Sequence, residues 1–122
     1  FAMYEHIWEP RGLWRKFSGT VSGAELMRSN AAGQGDMRFD ALRYVINDFR
    51  ATEHFILGPD ELEEIAATDG AAAMANSDIK IAVVSANPEI LAVAESYMSA
   101  KLSPFPVRNF ATLAEARDWL GC

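Results

Sequence analysis

The sequence predicts an α/β fold, a mixed sheet with helices packed on it. Three observations carry this. Five segments rich in β-branched and aromatic residues (3–8, 13–17, 43–49, 79–85 and 107–110) occur along the chain, and from the second onward each is followed by a helical stretch. Those helical stretches open on capping signals. The first two extended segments are separated by only Pro10, Arg11 and Gly12 beside their flanking residues, a hairpin length. The expected order is β-β-α-β-α-β-α-β-α.

The hairpin makes the first pair of strands antiparallel. The strand–helix–strand repeats that follow need right-handed crossovers, so the last three strands are expected to be parallel. Ser22 with Glu25 three residues on forms a capping box, and Val21 and Leu26 occupy hydrophobic-staple positions. This helix is expected to reach about Ala32 and to end at Gly33-Gln34-Gly35. That glycine pair follows a helix rather than opening one, so it is not a phosphate loop. Tyr44, Val45 and Ile46 are strong strand formers in 43–49. Pro59 suits a first helical turn, and Asp60, Glu61, Glu63 and Glu64 favour its positive end. Gly70 weakens this helix by roughly 1 kcal/mol relative to Ala, enough to allow a kink or a break there.

In 79–85, Ile79, Ile81 and Val83 share one face while Ala82 and Val84 share the other. A strand apolar on both faces is central. Asn87 caps the next helix with Pro88 at its first position, and Ile90, Ala94 and Tyr97, flanked by Leu91 and Met98, form its buried stripe. Pro104 and Pro106 stop it. After 107–110, Thr112 and Glu115 make a second capping box, and Leu113, Ala116 and Leu120 give the last helix its buried face.

The 122 residues fit one domain, expected to span 3–121, with Phe1 and Ala2 ahead of Met3 read as an extraneous pair. Half the residues are hydrophobic, enough for a core and unlike a disordered composition. The net charge of −6 argues against binding nucleic acid and limits membrane contact to the periphery. Arg11, Arg15 and Lys16 lie close together, but Trp14 and Phe17 among them suit an ordinary strand. No apolar run approaches the ~20 residues of a membrane helix, and the first residues lack the apolar region of a signal peptide. The lone Cys122 forms no internal disulfide and fits a reducing compartment, so the expected location is the cytoplasm.

The element order, the segments Tyr44-Val45-Ile46-Asn47-Asp48-Phe49 and Ile79-Lys80-Ile81-Ala82-Val83-Val84, and the ending Phe110-Ala111-Thr112-Leu113-Ala114-Glu115-Ala116-Arg117-Asp118-Trp119-Leu120 resemble the STAS superfamily. Within it the chain looks like the SpoIIAA-like branch of small stand-alone bacterial proteins, related in fold to CRAL-TRIO lipid-binding domains. The resemblance implies a non-enzymatic regulatory or ligand-binding module without cofactor. It spans nearly the whole chain. Typical members carry a phosphorylatable Ser in an Asp-Ser-Ser/Thr-Gly motif just after the third strand. The corresponding region here, 50–60, contains no Ser, so that switch does not carry over.

In open parallel sheets, ligands bind outside the carboxyl ends of the strands. Asp48, Arg50, Thr52, His54, Phe55, Ile56 and Ser85 lie at or beyond those ends and are the candidate residues for a ligand or partner. The expectation is that 50–58 forms a mobile cover, with Asp48 and Arg50 orienting a polar head and Phe55, Ile56 and Leu57 closing over an apolar body. The plainer reading pairs Asp48 with Arg50 and lets Ser85 satisfy a turn. The occupants implied are a small apolar or amphipathic ligand or a protein partner, with a homodimer as a further expectation. An alternative is an enzyme using Asp48, His54 and Ser85. Val83 and Asn87 stand where a nucleophile elbow at Ser85 would need Gly. His6, alternating with Tyr4 and Trp8, reads as packing. Asp60 and Glu64, four apart on one helix face, read as a solvated helix start rather than a cation site, and two separated histidines with a terminal Cys make no zinc pattern.

Overall fold

The computed structural model describes residues 4–100 and 102–122; Phe1 and Ala2 lie outside them. Five strands form one sheet: β1 (Tyr4–Glu9), β2 (Gly12–Ser22), β3 (Tyr44–Ile56), β4 (Lys80–Val84) and β5 (Val107–Phe110). Their spatial order is β1-β2-β3-β4-β5. β1 and β2 pair antiparallel, and every later pair is parallel. The helices are α1 (Gly23–Gln34), α2 (Pro59–Ala75), α3 (Pro88–Ser99) and α4 (Leu113–Leu120). A short 3-10 turn, Met37–Ala41, precedes β3.

Each crossover in this sheet advances one strand in the same direction. Right-handed connections therefore place α1, α2 and α3 on one face. Their side chains join two apolar clusters there. Leu13, Val45, Ile79 and Ala72 belong to the first, and Phe17, Val21, Leu26, Phe49, Phe55, Val83 and Ile90 to the second. α4 has no later strand to feed and covers the opposite face, where Ala116 packs with Tyr44, Ile46, Ala82 and Val84. The split of β4 into Ile81/Val83 on one side and Ala82/Val84 on the other follows the alternation in its sequence.

Most local signals act as expected. Ser22 caps α1 by accepting from the Glu25 N–H at 3.3 Å. The Glu25 carboxylate does not close the box; it pairs with Arg28. α1 runs one residue past Gly33, to Gln34, and is capped by Gly35. The Asn87 side chain accepts from the Glu89 N–H at 2.9 Å, and the Thr112 hydroxyl accepts from the Glu115 N–H at 3.2 Å while donating to its carboxylate. α2 is continuous through Gly70, so the helix does not break there. Its start is held by the Glu61 carboxylate, which accepts from the Gly58 N–H at 2.9 Å.

The main correction concerns 50–58. Residues 50–56 are not a loop or a cover but the continuation of β3, paired along β2 as far as Ser22. The register with β2 shifts after Lys16 and again after Gly19, so β3 carries extra residues at two bulges. Gly19 adopts the left-handed region, φ 66°, at the second shift. These shifts break the in–out alternation that marks a strand in sequence. Phe55 lies in the core at 8% exposure, and Ile56 faces outward at 61%.

Candidate functional site

Among the described residues, the candidate residues named from sequence do not assemble into one site. Asp48 is buried on the α4 side of the sheet. Its carboxylate accepts from Trp14 Nε1 at 3.0 Å, from the Arg50 N–H at 3.1 Å, and from Arg50 Nε and Nη2 at 2.9 and 2.8 Å. Burial alone would raise its pKa, but the bonds from Arg50 and Trp14 outweigh this and hold it below the usual carboxylate range. The Thr52 hydroxyl is buried with no hydrogen-bond partner among the described residues. His54 is exposed opposite Thr20. It lies six residues along β3 from Asp48, about 20 Å at ~3.3 Å per strand residue. Ser85 is buried and accepts from the Asn87 N–H at 3.0 Å, closing the turn into α3. An Asp48–His54–Ser85 cluster is therefore not formed, and Asp48 with Arg50 and Ser85 take their plainer roles. Asp48 and Arg50 do border an open groove beside the middle of β2 and β3, together with Glu5, Lys16 and Ser18.

The better-built site lies on the other face. A cavity of about 110 Å³ opens between the sheet and α1–α3. Its walls are largely apolar, with Leu26, Phe49, Phe55, Ile65, Val83 and Ile90 prominent. Phe49 stacks on Phe17 at 4.7 Å between ring centroids and meets Phe55 edge-on at 5.3 Å. Phe55 and Leu57 are thus fixed wall residues, not a closing tip.

A polar row crosses the sheet beside this cavity. Registration sets His6 opposite Arg15, Arg15 opposite Asn47, Asn47 opposite Val83, and Val83 opposite Asn109. Arg15 points inward between Leu13 and Phe17 and is 8% exposed. Its Nε donates to Asn47 Oδ1 at 2.8 Å, and its Nη1 to Ser29 Oγ at 3.1 Å and to Asn30 Oδ1. Burial lowers the Arg15 pKa to about 10. The same row keeps His6 uncharged at neutral pH: burial first, then the Arg15 charge, lowers its pKa to about 4, while Ser29 Oγ lies 2.9 Å from its Nε2. On the helix side, Asp69 of α2 accepts from the Tyr97 hydroxyl of α3 at 2.8 Å. Burial raises the Asp69 pKa, offset in part by Tyr97 and Arg15. Arg15, Asn30, Asn47, Asp69 and Tyr97 all line the cavity.

None of these five was a candidate from sequence. Arg15 reads there as one of three neighbouring basic residues. The available signal was its position: in 13–17 the inward residues are Leu13, Arg15 and Phe17, so a cation falls where the pattern asks for an apolar side chain.

No protein-family model matches the chain. No curated protein sequence matches it either. Solved structures do. The anti-sigma factor antagonist SpoIIAA in its unphosphorylated form superposes with a TM-score of 0.62 at 12% identity, over 97% of each chain. The Bacillus cell fate determinant SpoIIAA in the phosphorylated form gives 0.62 at 13% identity, over 96% of this chain and 98% of the other. The five-stranded mixed sheet with its four helices is therefore a SpoIIAA-like fold, the fold expected from the STAS resemblance.

Proposed function

We propose that this protein is a non-enzymatic, cytoplasmic binding module that holds a small, mainly apolar ligand in the cavity between the sheet and α1–α3. The cavity itself carries the reading: an apolar chamber of about 110 Å³ with polar side chains grouped at one end, open enough to admit a molecule. The separation of Asp48, His54 and Ser85 favours binding over catalysis. Burial of an apolar body there contributes about 25 cal/mol per Å² removed from water. The test is mass spectrometry of small molecules released when the purified protein is denatured, repeated on Ala94→Leu, which narrows the chamber. A compound released stoichiometrically by the wild type and lost from the variant supports the reading. A compound retained equally by both places its site elsewhere.

A second reading is favoured by the groove beside β2 and β3, where exposed Glu5, Lys16 and Arg50 border buried Asp48. A protein partner presenting both acidic and basic side chains would complement this alternation of charges. The likeness to SpoIIAA, named as an antagonist of an anti-sigma factor, supports a partner-binding role. Lys16→Glu with Arg50→Glu abolishes such an association and leaves ligand release unchanged; pull-down of a purified partner by the variant would reject the groove.

A further inference from the structure

The polar end of the cavity constrains the kind of head group it accepts. Arg15 is a cation more than nine-tenths buried, and its hydrogen-bond partners, Asn47, Ser29 and Asn30, are all neutral. Among the described residues no carboxylate lies within ion-pair distance of it. Its Nη2 makes no hydrogen bond to a described residue, so a donor fork remains open beside the cavity. Nη2 is not a fully buried unsatisfied atom; it stays reachable, and a guanidinium desolvated over most of its surface gains from a further acceptor there.

The nearest opposite charge is Asp69, which lines the same cavity and acts on Arg15 through space without touching it. Its Oδ2 is engaged by Tyr97. Its Oδ1 bonds no described residue. Two residues that line the chamber, from β2 and α2, therefore carry an unbonded donor and an unbonded acceptor, with no net charge between them. A carboxylate head would gain from Arg15 and be repelled by Asp69. An ammonium head would meet the reverse. A neutral group carrying a carbonyl and an N–H on one carbon satisfies both at once, with no ion left to desolvate.

The volume sets the rest of the molecule. An engineered apolar cavity of ~150 Å³ holds benzene. At about 110 Å³ and open on one side, this one matches a single small ring or a short branched chain, partly projecting.

Resting on the cavity reading above, we infer that the ligand is a small neutral carboxamide-type molecule, its carbonyl accepting from Arg15 and its N–H donating to Asp69, with one ring-sized apolar body. The experiment uses the full chain, ¹⁵N-labelled, titrated with benzamide, toluene and benzoate at neutral pH, following the amides of Phe49, Val83 and Ala94. Benzamide should bind at least tenfold more tightly than either of the others. Asp69→Asn, a near-isosteric change at a half-buried position, leaves the Arg15 charge uncompensated, so its preference should invert to benzoate. Arg15 itself is avoided because its replacement threatens the fold. Toluene binding as well as benzamide would mean the polar end is inert, and benzoate binding best to the wild type would mean an anion site; each overturns the head-group inference while the cavity stands. If none of the three perturbs those amides, the cavity reading falls with it.

Discussion

Replacing Phe55 by Ala and, separately, Ile56 by Ser tests the placement of 50–56 in the sheet. The two side chains are adjacent in sequence and opposite in environment, 8% and 61% exposed. A Phe side chain buries roughly 200 Å². At ~25 cal/mol per Å² that corresponds to about 5 kcal/mol as an upper bound. Core Phe→Ala changes cost about 3–5 kcal/mol, which includes the cavity left behind. For a chain of this size that lowers the melting temperature by about 10–20 °C. The Phe49 ring loses its edge-on partner, and the near-ultraviolet circular dichroism should weaken accordingly. Ile56→Ser should stay within about 0.5 kcal/mol, the range of surface changes. Thermal and urea unfolding read both. Equal effects, or a larger one at Ile56, would show that the strand is out of register by one residue or is a mobile cover after all, because a single-residue slip exchanges the two faces.

Three further outcomes follow from the geometry. Folded His6 titrates at about 4 and its unfolded form near 6.5; the unfolded chain thus binds the extra proton between those values, and His6 removes stability as the pH falls through that window. Asp69, raised in the fold, works in the opposite direction, so the measurement is a difference: the urea midpoint of His6→Gln should fall less between pH 7 and pH 5 than that of the wild type, and parallel curves would refute the role of His6. Arg117 of α4 donates to both oxygens of Glu9 on β1, at 3.1 and 2.7 Å, and Tyr44 donates to the same carboxylate; Arg117→Met should cost about 1–2 kcal/mol and speed amide exchange throughout α4, whereas unchanged exchange would mean that apolar packing alone holds this helix. A Cβ at Gly12 would stand 2.0 Å from the Tyr44 ring, so Gly12→Ala should cost about 1–3 kcal/mol and shift Tyr44 fluorescence; a silent substitution would place that ring elsewhere.

Legibility in the sequence tracked how local each signal was. Ser22, Asn87-Pro88 and Thr112 mark helix starts through bonds that close within three residues, so they could be read directly. β4 is a short strand with uninterrupted alternation, and both its faces were legible. β3 was cut seven residues short because its continuation depends on pairing with β2 through two bulges, and the partner's register is not written in the residues of β3. The site was misplaced for a related reason. Asp48, Arg50 and Ser85 looked functional from their expected position at strand ends, but each bonds a neighbour two residues away, and Asp48 is also held by Trp14 across the sheet. Arg15 and Asp69 are 54 residues apart in a chain whose spacing rules reach about four, and only the packing of α1 on β2 and of α2 beside α1 sets them around one chamber.

The three central strands have a consequence for how the molecule comes apart. β2, β3 and β4 each send side chains into all three apolar clusters: Leu13, Phe17 and Trp14 from the first, Val45, Phe49 and Ile46 from the second, Ile81, Val83 and Ala82 from the third. No cluster has private walls. Loosening one removes a face from strands that the other two also use, so the clusters share a single melting event instead of three. The chain should then unfold as one cooperative unit, with calorimetric and van't Hoff enthalpies equal, and a molecule seated in the chamber should protect α4 on the far side of the sheet without approaching it.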